Sequence, residues 1–299
     1  MILSVSRRTD IPCFYMDWLM NRIRCGFADV RNPMNPHQVS RVKIAPDTVD
    51  ALVFWSKNPV GLLRVWDQIP FPFYVQMTLT AYGREVEPNL PDWRERVDCF
   101  RSLAEKLGPG RMVWRYDPIF FSPVYTPDVH VHAFSELAGC LRGFTDEVVI
   151  SFLDWYPKMK KRMQPFKVEC PSEQEQLALA GRLEPIARAN GMRITACAET
   201  LDLRSVGVQP GSCIDAGRLE RLLGKPLHLK KDPSQRAACG CVKSVDIGAY
   251  NTCLVGCRYC YANGGESLIA RCRAQYDPQA SLLCGSLSPD DRVTLREKA

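Results

Sequence analysis

Short apolar and β-branched runs alternate, up to about residue 200, with longer segments whose apolar residues recur every three to four positions. The runs at 2–6, 51–55, 73–79, 112–116, 147–153 and 193–198 predict β-strands, and the segments between them predict helices. One helix carries Trp93, Val97, Phe100, Ala104 and Leu107 on a single face. Asp92 and Glu95 before it resemble a capping box, and Gly108 can adopt the left-handed conformation at its end. A second starts at Thr126 and Pro127, presents Val131, Phe134, Leu137, Ala138 and Leu141, and ends near Gly143. A third opens at Ser172 with Glu175 and closes at Asn190 and Gly191; segments 13–25 and 214–223 also read as helical.

Strand–helix alternation of this kind favours a parallel sheet, because parallel neighbours need a long crossover that a helix supplies. Six or more such units without a Gly-x-Gly-x-x-Gly phosphate loop point to an α/β fold of the TIM type, a complete or partial (β/α) barrel. The composition changes near Asp232, which divides the chain into a barrel-like domain at 1–231 and a cysteine-rich segment at 232–299 that completes or caps it. In a parallel sheet, polar residues following each strand gather at one rim, where barrel enzymes place their chemistry. Here the strands run in turn into Arg7, Arg8, Thr9 and Asp10; Ser56, Lys57 and Asn58; Thr78 and Thr80; Arg115 and Asp117; Asp154; and Glu199 and Thr200. Singly each reads as a cap or a loop charge. In succession they mark a functional rim, with Lys57, Arg115, Asp117 and Glu199 as the expected catalytic residues.

A hydrophobic fraction of 46% in 299 residues suffices for a core, so disorder is not expected. The opening MILSVSRRTD fits neither a secretory signal nor a membrane span, and no other apolar run reaches membrane-crossing length. A cytoplasmic protein with no membrane partner is therefore expected. The net charge of +6 is spread along the chain, and its densest run, at 158–162, reads as a solvated turn. Nucleic acid stays open as a partner, although no aromatic-and-basic recognition motif supports it.

Fourteen cysteines in a reducing compartment do not suggest a disulfide framework. Cys239, Cys241, Cys253, Cys257, Cys260, Cys272 and Cys284 lie from residue 239 onward, which points to a C-terminal metal site. The spacing of Cys253, Cys257 and Cys260 is Cys-x-x-x-Cys-x-x-Cys, compact enough to offer three thiolates to one cuboidal cluster while leaving the fourth iron open. A structural zinc site needs four ligands, and none of the four histidines lies near this loop, although Cys241, Cys272 or Cys284 could complete one.

These three cysteines, with Tyr259 before the last, resemble the cluster signature of the radical S-adenosylmethionine superfamily. Segments VFWSKNP, WRYDPI, ACAE, CGC and YCYAN resemble an uncharacterised bacterial family, a domain of unknown function whose C-terminal cysteines are similar to that signature. The superfamily resemblance implies a [4Fe–4S] cluster whose open iron chelates S-adenosylmethionine, cleavage to a 5′-deoxyadenosyl radical, and an electron donor such as flavodoxin or ferredoxin. It implies cofactor-binding roles for Tyr259, Arg7 and Arg8. It does not imply the substrate.

The superfamily's loop usually follows the first strand, whereas here it begins at residue 253, so a permuted order of elements is expected, with 244–250 supplying the strand before the loop and 2–6 beside it. Gly264, Gly265 and Glu266 match the superfamily's Gly-Gly-Glu element literally but follow the cysteines too closely, and read as a turn and helix start. Cys239 and Cys241 stand too close together for both to be ordinary core residues and with Cys197 and Cys213 are candidates for a second metal site, the alternative being that Cys197 and Cys213 are buried apolar thiols. The rival to an enzyme is a non-catalytic protein whose zinc or iron–sulfur tail staples the C-terminal segment down.

Overall fold

The computed structural model describes residues 1–298. Its strands are β1 (Ile2–Val5), β2 (Phe27–Arg31), β3 (Gln38–Lys43), β4 (Ala51–Ser56), β5 (Phe73–Thr78), β6 (Met112–Ile119), β7 (Glu147–Phe152), β8 (Arg193–Cys197), β9 (Gln209–Gly211), β10 (Val245–Asp246) and β11 (Arg292–Arg296). Its α-helices are α1 (Ile11–Phe14), α2 (Met16–Cys25), α3 (Val60–Val65), α4 (Trp93–Leu107), α5 (Pro127–Leu141), α6 (Pro157–Met163), α7 (Glu173–Ala189), α8 (Ala216–Leu223) and α9 (Glu266–Ala274). All six strands expected from the apolar runs form, within two or three residues of the expected ends, and all lie in one sheet ordered β10-β1-β4-β5-β6-β7-β8-β9. Every pairing in that sheet is parallel. β10 and β9 form its two ends and share no ladder with each other among the described residues.

The starts of α5 and α7 follow their capping chemistry, whereas at α4 Asp92 accepts the Arg94 N–H without a reciprocal box from Glu95, and Gly108, at φ +88° and ψ 150°, lies outside the left-handed helical region. Thr126 accepts the Val129 N–H at the start of α5, and Ser172 and Glu175 form a reciprocal box at the start of α7. The expected helix at 13–25 is two, broken at Tyr15, whose φ of −135° leaves the helical region and whose hydroxyl donates to the Thr252 carbonyl. The basic run at 158–162 is not a turn but part of α6, with Met159 and Met163 buried beneath exposed lysines.

Alternation along each strand sends residues to opposite faces. On one face Leu52, Phe54, Val75, Trp114 and Ile150 pack with Phe100 of α4, Phe134 of α5 and Leu183 of α7. On the other, Ile2, Val53, Tyr74, Val113 and Val149 pack against Ile214, Leu219 of α8 and Val242. Each large apolar side chain so buried contributes about 1.5–3 kcal/mol. Farther along the second face, toward the C-terminal ends of the strands, the positions become Trp55, Gln76, Thr78, Arg115, Asp117, Ser151 and Cys197. A polar surface thus forms where the apolar filling stops.

The chain after 232 is woven into the fold. β10 pairs with β1 (Leu3 with Val245, Ser4 with Asp246), so the strand preceding the cysteine loop lies beside the first strand of the chain. β11 pairs with β3 in a small second sheet with β2. Gly265 caps α9, which begins at Glu266, as the helix-start reading of Gly264 to Glu266 expects.

Candidate metal and cofactor site

Cys253, Cys257 and Cys260 follow β10 and reach the C-terminal ends of the strands, where all three line a cavity of about 550 Å³. Their loop is held through its carbonyls. Asn263 Nδ2 donates to the Cys253 carbonyl at 2.8 Å, Asn89 Nδ2 to that of Leu254 at 2.9 Å, and an Arg162 guanidinium N–H to that of Cys260. Gly256 sits at φ +76°, and a Cβ there would meet Asn89 and Pro88 at 3.2 Å, so the tight passage between the first two cysteines favours glycine. Burial raises the Cys253 thiol well above its ordinary pKa, while the backbone N–H groups of Val255 and Asp10 at its sulfur pull the other way. Burial pushes the Cys257 thiol well above its ordinary pKa, while the nearby Lys57 ammonium pulls the other way.

Beneath the loop lies a charged group that sequence reasoning missed. Glu87, in the connection between β5 and α4, is 1% exposed and accepts from Lys57 Nζ at 2.8 Å, from Thr80 Oγ1 at 3.2 Å and from the Tyr259 hydroxyl. Arg96 of α4, equally buried, stands 3.7 Å from its other oxygen. Burial alone would raise the Glu87 pKa, but Lys57 and Arg96 outweigh it and hold the carboxylate below its usual range. The Tyr259 ring packs between Lys57, 5.4 Å from its centroid, and Tyr82 at 5.8 Å. Tyr259 and Lys57, expected to touch cofactor and substrate, spend their polar atoms on Glu87 and support the loop.

The same cavity brings together Arg7, Arg8, Lys57, Arg115 and Asp117 from the expected rim. The Arg7 N–H donates to Asp246 at 2.8 Å, and its guanidinium lies 5.8 Å from the Trp55 centroid. Arg8 lies 5.2 Å from the Tyr250 centroid, makes one long bond, 3.4 Å, to the Gly248 carbonyl, and stands 3.9 Å from the Asp246 carboxylate. Arg115 and Asp117 pair with each other, and Ser151 donates to Asp117. Asp10 accepts from Ser56 Oγ at 2.7 Å and Lys57 N–H at 2.8 Å, and its burial raises its pKa to about 6 despite them.

Glu199 is not on the cavity wall. Its carboxylate accepts the Phe152 N–H at 2.8 Å, and burial, opposed by that bond, raises its pKa to about 7. Between about pH 4.5 and 7 the folded chain therefore keeps a proton that the unfolded chain releases, so this group's contribution to stability is lost as pH rises through that window. In Glu199→Gln the urea midpoint should change less between about pH 5 and pH 8 than in the parent chain; an equal change in both would remove Glu199 as the source.

Cys239 and Cys241 do not join the three-cysteine loop. They pack with Cys197 and Cys213 on another part of the cavity wall. Among the described residues, no three His, Cys, Asp or Glu side chains stand at the spacing of a formed metal site.

The model of a domain of unknown function, DUF1848, matches residues 2–262. The chain belongs to this family. The DUF1848 span runs from β1 to two residues past Cys260, so it takes in the sheet, the rim and both cysteine groups, and leaves α9 and β11 outside. No curated protein and no solved structure matches the chain. No helix among the described residues is long and apolar enough to cross a membrane.

Proposed function

We propose that this DUF1848 protein is a radical S-adenosylmethionine enzyme, built on a permuted, partial (β/α) barrel, with a [4Fe–4S] cluster held by Cys253, Cys257 and Cys260. The observation that carries the reading is that three cysteines with this spacing line one cavity together with the strand-end charges Arg7, Arg8, Arg115 and Asp117. The donor set fits the group: the loop's carbonyls are bound elsewhere, and N–H groups face the Cys253 sulfur. Bound there, the cluster would supply one-electron reductive cleavage of the sulfonium of S-adenosylmethionine.

The protein's own residues bind, orient and shield. Arg8, held only by a 3.4 Å bond to the Gly248 carbonyl and a 3.9 Å contact with the Asp246 carboxylate, is a loosely held cation that can turn to pair with the methionine carboxylate. Trp55, Tyr250 and Tyr261 give the cavity aromatic walls suited to a nucleoside. Arg115 and Asp117 hold each other on the β6 side and present a charged pair to whatever substrate enters. A volume of about 550 Å³ lies within the roughly 300–1,000 Å³ usual for small-molecule sites.

Electron paramagnetic resonance on anaerobically prepared, reduced protein tests the reading. A cluster signal that shifts when S-adenosylmethionine is added is expected, and Arg8→Ala should raise the concentration needed about tenfold, the loss of one charge-assisted contact of about 1.4 kcal/mol. An iron-free protein, or a signal indifferent to S-adenosylmethionine, would leave the non-catalytic metal tail as the better account.

A further inference from the structure

Four thiols meet at a place that the proposed cofactor chemistry does not use. Cys197 ends β8, Cys213 lies two residues beyond β9, and Cys239 and Cys241 precede β10. The Cys197 and Cys213 sulfurs are 2.9 Å apart, and further thiol contacts link Cys213 to Cys241 and Cys241 to Cys239. All four residues are more than nine-tenths buried.

The chain is held in this arrangement from both sides. The Ile214 N–H donates to the Cys241 sulfur at 3.4 Å, and the Val242 N–H to the Ile214 carbonyl at 3.1 Å. Gly240 passes so close to Ser212 that a Cβ would come within 2.4 Å of its hydroxyl. The buried Arg115 guanidinium donates to the Cys213 sulfur at 2.9 Å and to Gln76 Oε1 at 2.8 Å. Asp117 pairs with the other edge of this guanidinium, but the N–H groups turned to Cys213 are spent on Gln76 and on a thiol that, when neutral, is a weak acceptor.

We propose that Cys197, Cys213, Cys239 and Cys241 bind one zinc ion as four thiolates, clipping the segment before β10 to the ends of β8 and β9. Sulfurs about 2.3 Å from a tetrahedral ion lie about 3.8 Å from one another, so thiols already in contact suit a single ion better than the wider span of a cuboidal cluster. The closest pair must open by about 1 Å, and the others must turn about χ1 to complete the tetrahedron. Four thiolates and one Zn²⁺ carry a net charge of −2, which Arg7 and, on the side turned away from Asp117, Arg115 partly offset from the same cavity wall. The ion would do what no ladder does between β9 and β10: join the two ends of the sheet. The inference does not rest on the radical reading, because it concerns other cysteines and another metal.

Metal analysis of the full chain grown with zinc should find about one zinc per chain. The Cys253→Ala/Cys257→Ala/Cys260→Ala variant should keep it, and Cys239→Ser/Cys241→Ser should lose it. Should the second variant fail to fold, zinc K-edge absorption on the unmodified chain decides alone, with four sulfurs at about 2.3 Å expected. Zinc with nitrogen or oxygen ligands, a zinc-free chain, iron on these four cysteines, or a Cys197–Cys213 disulfide in the isolated protein would each overturn the assignment.

Discussion

Replacing Cys253, Cys257 and Cys260 together with Ala will lower iron and sulfide in anaerobically reconstituted protein from about four of each per chain to background. The effect is large because a cuboidal cluster with three protein ligands has no substitute once all three are gone, and Cys239 and Cys241 pack elsewhere, with Cys197 and Cys213. The fold should survive. The loop is anchored mainly through carbonyls and through Tyr259, with only the Val255 and Asp10 N–H groups at a cysteine sulfur, so thermal unfolding of the metal-free variant should match that of the metal-free parent within a few degrees. Iron retained at full stoichiometry would move the cluster to other residues and break the link between the loop and the cavity.

Glu87→Ala should destabilise the chain by about 3–5 kcal/mol, the usual cost of removing one partner from a buried ionic group. Glu87 is the carboxylate against which Lys57, Arg96 and Tyr259 are arranged, and Arg96 Nε and Nη1 have no hydrogen-bond partner. Without the carboxylate, Arg96 is left buried with no anion beside it and Lys57 loses its partner at the edge of the cavity. The Tyr259 hydroxyl loses its acceptor as well, so the cysteine loop should loosen and iron should be lost faster on exposure to a chelator. Adding Lys57→Met to Glu87→Ala should restore part of the stability by removing one stranded charge. Chemical denaturation measures all three chains, and a cost below about 1 kcal/mol for the single change would mean that water or a counter-ion reaches the site.

The strands were legible because each central one is covered on both faces and so reads as a nearly continuous apolar run, as ALVFW at 51–55 and VVISF at 148–152 do. Helices α4, α5 and α7 were legible from their faces and caps. The small sheet was not. Its strands β2, β3 and β11 mix short apolar residues with Asp, Arg and Lys, the connection after β2 carries Pro33 and Pro36, and β11 is exposed along its length.

The rim was legible as a row of polar residues after the strands, but not which of them face the cavity. Glu199 reads like Asp117 in sequence, yet it accepts a backbone N–H of β7 while Asp117 lines the cavity. Glu87 reads as one more loop charge in YGREVEPN, and only its burial between Lys57 and Arg96 gives it a role. The spacing of Cys253, Cys257 and Cys260 was plain in one dimension. The meeting of Cys197 and Cys213 with Cys239 and Cys241 depends on how the two ends of the sheet approach each other, which no local pattern encodes.

The most direct test of the central claim is chemical. Anaerobically reconstituted protein, reduced and incubated with S-adenosylmethionine, is predicted to form 5′-deoxyadenosine and methionine in equal amounts, and the Cys253→Ala/Cys257→Ala/Cys260→Ala chain to form neither. Intact S-adenosylmethionine after incubation with protein that carries a full, reduced [4Fe–4S] cluster would contradict it.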